Sequence, residues 1–578
     1  MELLDYDIIV LGSGIAGLTS AIHASRESGG KKSIALVSKL HVMRSHSVAA
    51  EGGISGVLYP DTDNDSEKLH AYDTIKGSDY LADQDAVEIL VKGAPEEIKF
   101  FDHIGVPWNR REGGKISQRA FGGMSIPRTA FAADKTGFFM MRALYDELLT
   151  YDNVEVFNER FATKLVVEKN RANGVIAFNI ENGNFEAFRA GETIIATGGA
   201  SRMYGFTTNS YSNTGDGTAM AYRAGIALKD MEFVQFHPTA LIPSGILITE
   251  AARGEGGYLK NSNGARFMID YAKSKMELAP RDIVSRAIIS EINAGRGFTD
   301  EDSGLEYVHL DLRHLGSSKI DEKLPMIKEM TIKMLRLDPS TDEIPVRPAA
   351  HFTMGGIHTN IDGAALNQSE KPIIGLWAVG ECACVSIHGA NRLGSNSLSQ
   401  CSVWGRRVGT IAGRWHKDSA TQKSSFMEIA ENEEKSILEV IDSEGDVNPY
   451  EIRDSMHRIM DKYMYVYRNT NGMNVARNEL AKLKTKLKDI YVQDRGRLYN
   501  TNLREVLEIM NLLDLAQVTV ECAIRRRESR GAHVVLEYPK RDDKHWLKHT
   551  LAYMSGNKVK VAYIPVKIRG WKPEERRY

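Results

Sequence analysis

The stretch that decides the fold is Asp7-Ile8-Ile9-Val10-Leu11-Gly12-Ser13-Gly14-Ile15-Ala16-Gly17. It begins with an apolar, β-branched run, which predicts a buried strand. It continues with a match to the pattern G-x-G-x-x-G and then with the apolar positions of a helix. A second strand is predicted at 33–37. Strand, glycine turn, helix and strand therefore fill one unit of about 30 residues.

The three glycines of the turn have separate geometric tasks. Gly12 permits the tight turn, Gly14 lets the backbone approach a pyrophosphate group, and Gly17 lets helix and strand pack closely. The first N–H groups of the helix and the positive end of its dipole then face the phosphates. We therefore predict a dinucleotide cofactor here, held by Gly12, Ser13, Gly14, Ala16 and Gly17.

The end of the second strand indicates which dinucleotide is bound. An acidic residue that holds the ribose hydroxyls of NAD is expected there, but Ser38-Lys39 occupies the position, which favours FAD. Glu192-Thr193-Ile194-Ile195-Ala196-Thr197-Gly198-Gly199 and Gly375-Leu376-Trp377-Ala378-Val379-Gly380-Glu381 are two further predicted strands that lead into glycine turns. The second of them would bring the carboxylate of Glu381 to the cofactor.

The composition excludes several classes of protein. The 578 residues are enough for more than one domain, and Lys+Arg 74 against Asp+Glu 76 gives no basic excess for nucleic acid. No apolar run approaches about 18 residues, and no basic stretch precedes the first strand, so we expect neither a transmembrane helix nor a signal peptide. The four cysteines, with Cys382 and Cys384 as packing residues, indicate neither a disulfide framework nor a metal site.

A series of long segments carries a family resemblance. In chain order they are Arg44-Ser45-His46 with Ala50-Glu51-Gly52-Gly53, Phe121-Gly122-Gly123-Met124, Thr249-Glu250 with Arg253-Gly254-Glu255-Gly256-Gly257, Pro280-Arg281-Asp282, His351-Phe352-Thr353-Met354-Gly355-Gly356, His388-Gly389-Ala390-Asn391-Arg392-Leu393-Gly394-Ser395-Asn396-Ser397-Leu398, Glu528-Ser529-Arg530-Gly531-Ala532-His533 and Arg541-Asp542-Asp543. On these segments the chain resembles, over essentially its whole length, the flavoprotein subunit of succinate dehydrogenase and fumarate reductase, in the FAD-dependent oxidoreductase 2 family.

The resemblance and the order of the segments together predict the architecture. We expect an α/β fold, in which a Rossmann-like FAD-binding domain (residues 1–237 and 351–423) carries an inserted α+β capping domain (238–350). A helical domain (424–530) follows, because Leu480, Leu483, Leu487 and Ile490 lie on one helical face. The lysines between them are expected to form a solvated face, and the C-terminal segment (531–578) is expected to wrap the surface.

The resemblance also implies how FAD is held. His46 matches the histidine that the family bonds covalently to the 8α carbon of the flavin, residues 38–53 would line the flavin, and Asp216 would touch the adenosine part. The further implied cofactor residues are Ser38, Lys39, Ser45, Ala50, Gly52, Gly53, Glu381, Ser397 and Leu398.

The substrate implied by the family is a four-carbon dicarboxylate. Residues that match its carboxylate-holding groups are His237, Thr249, His351 and Arg392. Phe121 matches a residue that walls the site near the substrate double bond. A guanidinium suits a carboxylate because it donates two parallel hydrogen bonds.

Arg281 matches the proton-transfer arginine of the family, and Glu250 and Arg253 match the rest of its relay. An arginine is a poor base in water because its pKa exceeds about 12. Arg281 must therefore be buried and connected to acidic neighbours to move a proton. The alternative is an ordinary salt bridge between Arg281 and Asp282.

These roles imply interconversion of succinate and fumarate by hydride transfer to or from covalent FAD. Electrons would pass to an iron–sulfur subunit and then to quinone through a membrane anchor, with this chain peripheral on the cytoplasmic side of the membrane. The direction of the reaction stays open.

Three alternatives remain at this stage. L-aspartate oxidase shares many motifs but lacks the linking histidine, so His46 argues against it. Soluble fumarate reductases usually carry extra haem or flavin domains, which are absent here. A non-catalytic FAD-binding assembly subunit would lack Arg281 or Arg392, and both are present.

Overall fold

The structure is a computed structural model that describes residues 1–415, 423–556 and 558–578. Residues 416–422 belong to the stretch expected to end the FAD-binding domain and lie outside the described residues, as does residue 557. The strands are β1 (Glu2–Leu11), β2 (Ile34–Val37), β3 (Ile54–Ser55), β4 (Gln118–Arg119), β5 (Thr129–Ala130), β6 (Val154–Phe157), β7 (Arg160–Glu168), β8 (Arg171–Asn179), β9 (Phe185–Ile195), β10 (Leu228–Lys229), β11 (Val234–Leu241), β12 (Tyr258–Lys260), β13 (Phe298–Thr299), β14 (Glu306–Asp311), β15 (Ile344–Thr353), β16 (Gly356–His358), β17 (Ala364–Leu366), β18 (Pro372–Ala378), β19 (Ala383–Cys384), β20 (Lys548–Ser555) and β21 (Lys558–Pro565).

The helices alternate with these strands up to β19 and then dominate the chain. They are α1 (Ile15–Ser28), α2 (Pro60–Asp63), α3 (Glu67–Gly77), α4 (Gln84–His103), α5 (Thr136–Leu148), α6 (Asp216–Arg223), α7 (Ala251–Gly254), α8 (Met268–Tyr271), α9 (Arg281–Asn293), α10 (Ser317–Lys323), α11 (Pro325–Leu335), α12 (Asn396–Arg414), α13 (Lys423–Ile441), α14 (Pro449–Tyr463), α15 (Thr470–Lys486), α16 (Thr501–Arg525) and α17 (Asp543–Trp546).

The largest sheet is built around the first strand. Its order is β17-β18-β8-β9-β1-β2-β6, and β7 pairs with β8 beside this row. β1 runs parallel to β2 and β9, and β2 runs parallel to β6. Ile8, Ile9 and Val10 are fully buried, as their apolar run predicts. β1 begins earlier than predicted, at Glu2, because its first residues also pair with β9.

Three glycines bring α12 close to α1 behind this sheet. Gly405, Gly409 and Gly413 recur every four residues on one face of α12. A Cβ at Gly409 would lie 2.3 Å from the carbonyl oxygen of Ser20, and one at Gly413 would lie 2.8 Å from that of Ala24. The two backbones can therefore approach each other only because these positions lack side chains.

The expected capping domain is formed by an antiparallel sheet and α7–α11. The sheet has the order β11-β15-β14-β12, with β13 paired to β14. The expected boundaries at 237/238 and 350/351 fall inside β11 and β15, which pair with each other over most of their length. These two strands therefore connect the capping sheet to the FAD-binding part without a break in structure.

The helical prediction for the later chain is confirmed by α13–α16, although α15 ends before Leu487. Leu480 and Leu483 are buried in α15, and Ile490 is buried beyond its end. One lysine of the expected solvated face differs, since Lys484 Nζ lies 2.6 Å from a carboxylate oxygen of Asp514 on α16.

The C-terminal segment does more than wrap the surface. Strands β20 and β21 form a hairpin that pairs with β10, within a sheet of order β19-β16-β10-β20-β21. The alternating Val and Tyr residues of this segment are the pattern of such a half-buried hairpin. Across the described ranges, every helix is too short or too polar to cross a bilayer.

Candidate active site

A cavity of about 720 Å³ opens where the parallel strands of the large sheet end. Residues just beyond β1, β2, β9 and β18 line one side of it, and the capping sheet and α9 line the other. The predicted residues in its wall are Gly12, Ser13, Gly14, Ala16, Ser38, Lys39, Ser45, His46, Ala50, Gly52, Gly53, Phe121, Asp216, His237, Thr249, Glu250, Arg281, His351, Glu381, Arg392, Ser397 and Leu398. Gly17 and Arg253 stand outside the lining and contact residues that form it.

The glycine turn has the geometry that a bound pyrophosphate requires. Gly12 has φ +110°, and a Cβ there would lie 2.3 Å from the carbonyl oxygen of Ala196. A Cβ at Gly17 would lie 1.9 Å from the carbonyl oxygen of Gly12, so helix and strand touch at this point. Gly14 precedes α1 without a side-chain cap. Gly14, Ile15 and Ala16 line the cavity, so the first turn of α1 faces it, and the helix dipole would stabilise an anion there.

Lys39 is joined to the residue expected at the adenosine end. Its ammonium lies 2.7 Å from a carboxylate oxygen of Asp216 and 2.7 Å from one of Glu508 on α16. Burial raises the pKa of Glu508, and the neighbouring Lys39 acts in the opposite direction. The lysine that replaces the usual acidic residue after β2 thus holds two acids, and one of them, Asp216, lines the cavity.

His46 follows a short turn between β2 and β3. The backbone N–H of Ser210 approaches its Nδ1 at 3.4 Å. Burial lowers the pKa of His46 to about 4, so the ring is neutral near pH 7. A neutral imidazole retains a nitrogen lone pair, which is required for bonding to a carbon atom.

Glu381 lies after β18, as expected, and faces the cavity. Its Oε1 accepts a hydrogen bond of 2.9 Å from the backbone N–H of Thr353. Burial raises the pKa of Glu381 to about 7. A carboxyl group with such a pKa is suited to hydrogen-bond the hydroxyl groups of a sugar or ribityl chain.

Arg392 lies in the turn before α12, held through few contacts. Its Nη1 donates to Ser397 Oγ at 2.7 Å, and its carbon Cζ lies 4.3 Å from the ring centre of Phe352. Its Nε is buried without a hydrogen-bond partner in the described chain. Burial and the nearby Arg281 lower the pKa of Arg392 to about 9, so it is still a cation near pH 7.

Two histidines on paired strands stand beside this cation. The rings of His237 on β11 and His351 on β15 are 5.0 Å apart in a T-shaped arrangement. Burial lowers the pKa of both rings well below the usual value, and Arg281 adds to the effect. Nε2 of His237 is buried without a partner among the described residues, whereas Nδ1 of His351 lies 2.7 Å from Thr208 Oγ1.

The capping side supplies a linked set of charges. Nε of Arg281, the first residue of α9, donates to Glu250 Oε2 at 2.8 Å, and Nη1 donates to Gln235 Oε1 at 3.0 Å. Glu250 Oε1 lies 3.8 Å from Arg253 Nη2. Burial pushes the pKa of Glu250 upward, but the two arginines hold it below its usual value. The alternative pairing does not occur, because Asp282 binds Arg286 and Arg576 instead.

The remaining predicted residues close the cavity near these charges. Thr249 is buried beside Glu250, and Phe121 is buried against Leu393. The backbone N–H of Gly122 donates to Glu250 Oε1 at 2.6 Å. A Cβ at Gly122 would lie 2.4 Å from that oxygen, so the glycine permits the contact.

The chain matches two family models. Residues 7–398 match the model described as "FAD binding domain", and residues 453–578 match "Fumarate reductase flavoprotein C-term". The fumarate reductase flavoprotein subunit of Mycobacterium tuberculosis (strain H37Rv) is 44% identical over 99% of this chain and 99% of that protein. The succinate dehydrogenase flavoprotein subunit of Rickettsia bellii is 42% identical over 97% of this chain and 95% of that protein.

A solved structure agrees with these sequences. A mutant form of the E. coli quinol fumarate reductase chain FrdA superposes with a TM-score of 0.95, at 39% identity, over 100% of this chain and 99% of that chain. The chain belongs to the fumarate reductase and succinate dehydrogenase flavoprotein family. The predicted fold, with an FAD-binding domain that matches its family model, is thereby confirmed.

One contact of this family member was missed by the sequence reasoning. Gln235 accepts from Arg281 through Oε1, while its Nε2 donates to the carbonyl oxygen of Arg392 at 2.7 Å. It thus joins the two arginines of the site. A signal was available, because Gln235 precedes His237 by two residues on β11 and alternate residues of a strand share a face.

A second group that was missed lies between β9 and α6. Thr208 and Ser210 contact the rings of His351 and His46, and Asn209 Nδ2 donates to the carbonyl oxygen of His351 at 2.8 Å. This segment has no glycine pattern or charge cluster. Its role in orienting the two histidines becomes visible only from the tertiary contacts.

Proposed function

We propose that this chain interconverts succinate and fumarate as the FAD-carrying subunit of a quinone-linked oxidoreductase. One observation carries the proposal. Arg392, a buried cation with no carboxylate within hydrogen-bonding distance in the described chain, faces the Arg281–Glu250 pair across one cavity that begins at the glycine turn.

The FAD-binding side of the cavity is suited to a carboxylate. A buried, unpaired charge is costly to a folded protein unless a partner neutralises it. A carboxylate placed at Nε and Nη2 of Arg392 would supply that partner in the bidentate geometry that guanidinium groups favour. His237 and His351 are neutral and therefore add donors without adding charge. Thr249 would complete the polar wall.

The capping side is suited to moving a proton. Arg281 is held by Glu250 and Gln235 through Nε and Nη1, which leaves Nη2 without a hydrogen bond to the described residues. In fumarate reduction this guanidinium would donate a proton to one carbon and recover one from its relay. In succinate oxidation Arg281 would first release a proton to the relay through Glu250, and the neutral guanidine would then take the proton from one methylene carbon. Glu250 balances the cation, and Arg253, which is buried next to Glu250, would continue the relay. Phe121 excludes water beside the reacting carbons.

The cavity offers groups that suit the pyrophosphate, the adenosine part and the ribityl chain of FAD. The glycine turn and the start of α1 would hold the pyrophosphate, Asp216 the adenosine part, and Glu381 the ribityl hydroxyl groups. When bound, FAD supplies the two-electron acceptor or donor of the reaction. Gly53 lies in the cavity wall and packs directly on β5, since a Cβ there would lie 2.3 Å from the carbonyl oxygen of Ala130.

His46 is the proposed covalent attachment point of the flavin. Support comes from its neutral ring, its place in the cavity wall and the contact of Ser210 with Nδ1. The test is to denature the protein and separate it from free flavin. Fluorescence of the flavin on the polypeptide of the natural sequence, and its absence from His46→Ser, is expected. Release of all flavin from the natural sequence would exclude the bond.

The electron partner is proposed to be an iron–sulfur subunit, connected to quinone through a membrane anchor. Within the described residues, no group of three or more His, Cys, Asp or Glu side chains is placed to hold a metal ion. One relative in structure, at TM-score 0.94 and 39% identity, is a quinol–fumarate reductase with menaquinol molecules. The chain would then be peripheral, on the cytoplasmic side of the membrane.

An assay of both directions tests the proposed activity. The FAD-loaded chain, with its partner subunits, is given succinate with an artificial electron acceptor, or fumarate with a reduced dye. Turnover in both assays is expected, because relatives carry both enzyme names. Oxidation of L-aspartate without oxidation of succinate would replace the proposal with an oxidase. Flavin binding without turnover of either substrate would indicate a non-catalytic subunit.

A further inference from the structure

Arg576 is a buried arginine outside the cavity that bridges two carboxylates. Its Nη2 lies 2.5 Å from Asp282 Oδ2 and 3.1 Å from Asp79 Oδ2. Only 8% of its side chain is exposed, and the side chain of Asp282 is fully buried. One guanidinium nitrogen therefore satisfies two acids that would otherwise share a poorly solvated space.

The two carboxylates belong to different parts of the fold. Asp79 follows α3 in the FAD-binding part, where it also accepts hydrogen bonds from Arg541 at 2.7 Å and from the backbone of Gly531 at 2.9 Å. Asp282 is the second residue of α9 in the capping part, directly after Arg281. Arg576 consequently links the FAD-binding part to the helix that carries the proposed proton-transfer residue.

The segment that carries Arg576 is itself fixed to the FAD-binding part. Oε1 of Gln84 accepts hydrogen bonds from three successive backbone N–H groups, those of Arg569, Gly570 and Trp571. Further along, Arg541 Nη2 donates to the carbonyl oxygen of Glu574 at 2.8 Å. Arg576 thus extends from an anchored segment toward α9, and the position of Asp282 depends on it.

Nearby charges do not replace this contact. Arg286 also donates to Asp282 Oδ2, at 3.2 Å, but it lies on the same helix and cannot hold α9 to Asp79. Burial alone would raise the pKa of Asp79, yet Arg576, Arg530 and Arg541 hold it at about 2. Removal of Arg576 would leave Asp79 with Arg541 and Asp282 with Arg286, but no cation would then bridge the two carboxylates.

We propose that Arg576 is a positioning residue that fixes the start of α9, and with it Arg281, against the FAD-binding part. This inference rests on the proposed function of Arg281. Arg281 and Asp282 are consecutive in the first turn of α9, so a shift of the Asp282 carboxylate also moves the backbone of Arg281. A displacement of about 1 Å in a catalytic group lowers a rate by about 100-fold.

The chain offers a matched control in the next residue. Arg577 is 86% exposed, and its side chain contacts only Glu575 among the described residues. Arg576→Ala is expected to lower kcat about 10- to 100-fold with a smaller change in KM, because substrate contacts are kept. Arg577→Ala is expected to leave both constants unchanged. Arg576→Lys should recover part of kcat, since one ammonium can lie between the two carboxylates.

Hydrogen–deuterium exchange supplies a readout that does not depend on turnover. In the FAD-loaded protein, peptides covering 276–290 should exchange faster in Arg576→Ala than in Arg577→Ala, while peptides of β1 and α1 should not change. If the natural sequence proves inactive, the proposed function fails, and this exchange pattern still decides whether Arg576 fixes α9.

Several outcomes would overturn the inference. They are an unchanged kcat in folded Arg576→Ala, an equal loss in Arg577→Ala, or unaltered exchange at the start of α9. If Arg576→Ala does not accumulate as folded protein, Arg576→Lys and Asp79→Asn take its place. Full kcat and unaltered exchange in both of these variants would equally reject the role.

Discussion

The two sides of the cavity balance their buried cations in opposite ways. On the capping side, Arg281 and Arg253 share the carboxylate of Glu250. On the FAD-binding side, Arg392 has a hydroxyl partner, Ser397, and an aromatic ring beneath it, with no carboxylate hydrogen-bonded to it. The arginines of one side therefore have a carboxylate partner without a ligand, and the arginine of the other side does not.

This difference indicates separate roles for Arg281 and Arg392. A balanced cation keeps its position whether or not a ligand is present, which suits a residue that must move a proton at a fixed carbon. An unbalanced cation gains most when an anion arrives, which suits a residue that binds substrate. Gln235 touches both arginines, so it couples the two sides mechanically without sharing charge.

The largest expected effect comes from Arg281. Arg281→Gln removes the proposed proton carrier and should lower kcat by about 10³-fold, within the range attributed to general acid–base groups. Flavin content should be unchanged, because Arg281 lies on the capping side. Steady-state rates in both directions, with the flavin absorbance as a control, measure this.

Arg281→Lys sharpens the comparison. Lysine keeps the charge next to Glu250 but not the hydrogen bond to Gln235. Because a hydrogen bond contributes about 1 kcal/mol, kcat is expected to recover to about one fifth of the natural value. Activity equal to that of the natural sequence in Arg281→Gln would show that another group moves the proton.

Substitution of Arg392 is expected to have a smaller effect, and to change KM rather than kcat. Arg392→Gln removes a charge-assisted pair worth about 1.5–3 kcal/mol, so KM for the dicarboxylate should rise about 10- to 150-fold. The loss should be larger for a dicarboxylate inhibitor than for flavin, which binds elsewhere in the cavity. Inhibitor titration by difference spectroscopy gives the dissociation constant directly. A change in kcat alone would reverse the roles assigned to the two arginines.

The contrast between the two sides also shows what could not be predicted from the sequence. The fold could be predicted from local patterns, because Gly12, Gly14 and Gly17 mark a strand–turn–helix unit within one continuous stretch of sequence. Arg281 and Arg392 could be named from their segments, and the resemblance also placed Glu250 in the relay of Arg281. The contact of Arg392 with Ser397, and the lack of a carboxylate beside it, become visible only in the folded chain. Gln235 and Arg576 were missed because their partners lie far away in sequence.

Gln235→Leu is expected to have a moderate effect on both sides at once. It keeps the volume of the side chain but leaves Nη1 of Arg281 without its acceptor, and each such hydrogen bond is worth about 0.5–1.5 kcal/mol. We expect kcat/KM to fall about 10-fold. A double variant with Arg281→Gln should lose no more than Arg281→Gln alone, because the lost contact is then already absent. Additive losses would mean that Gln235 acts independently of Arg281.

A buried histidine paired with two carboxylates outside the cavity lining provides the smallest expected effect on turnover. His549 is buried between Asp230, 2.6 Å from its Nδ1, and Asp83, 3.1 Å from its Nε2. Burial disfavours its charge, but the two carboxylates raise the pKa of His549 to about 9. The unfolded chain has a histidine pKa of about 6.5. This stabilisation is therefore fully present below about pH 6.5 and is lost as pH rises through about 9.

His549→Asn should accordingly destabilise the protein most at pH 6, and the pH-dependent part of the difference should shrink by about 3 kcal/mol toward pH 10. Denaturant unfolding of both proteins across this range measures it. The control is His545→Asn, whose side chain is 63% exposed beside Asp542 and should contribute under about 1 kcal/mol. A difference for His549→Asn that stays constant with pH would mean that the histidine is neutral between its two acids. Neither variant should change turnover near pH 7, because His549 and His545 lie outside the cavity lining and do not contribute to the charge of the site.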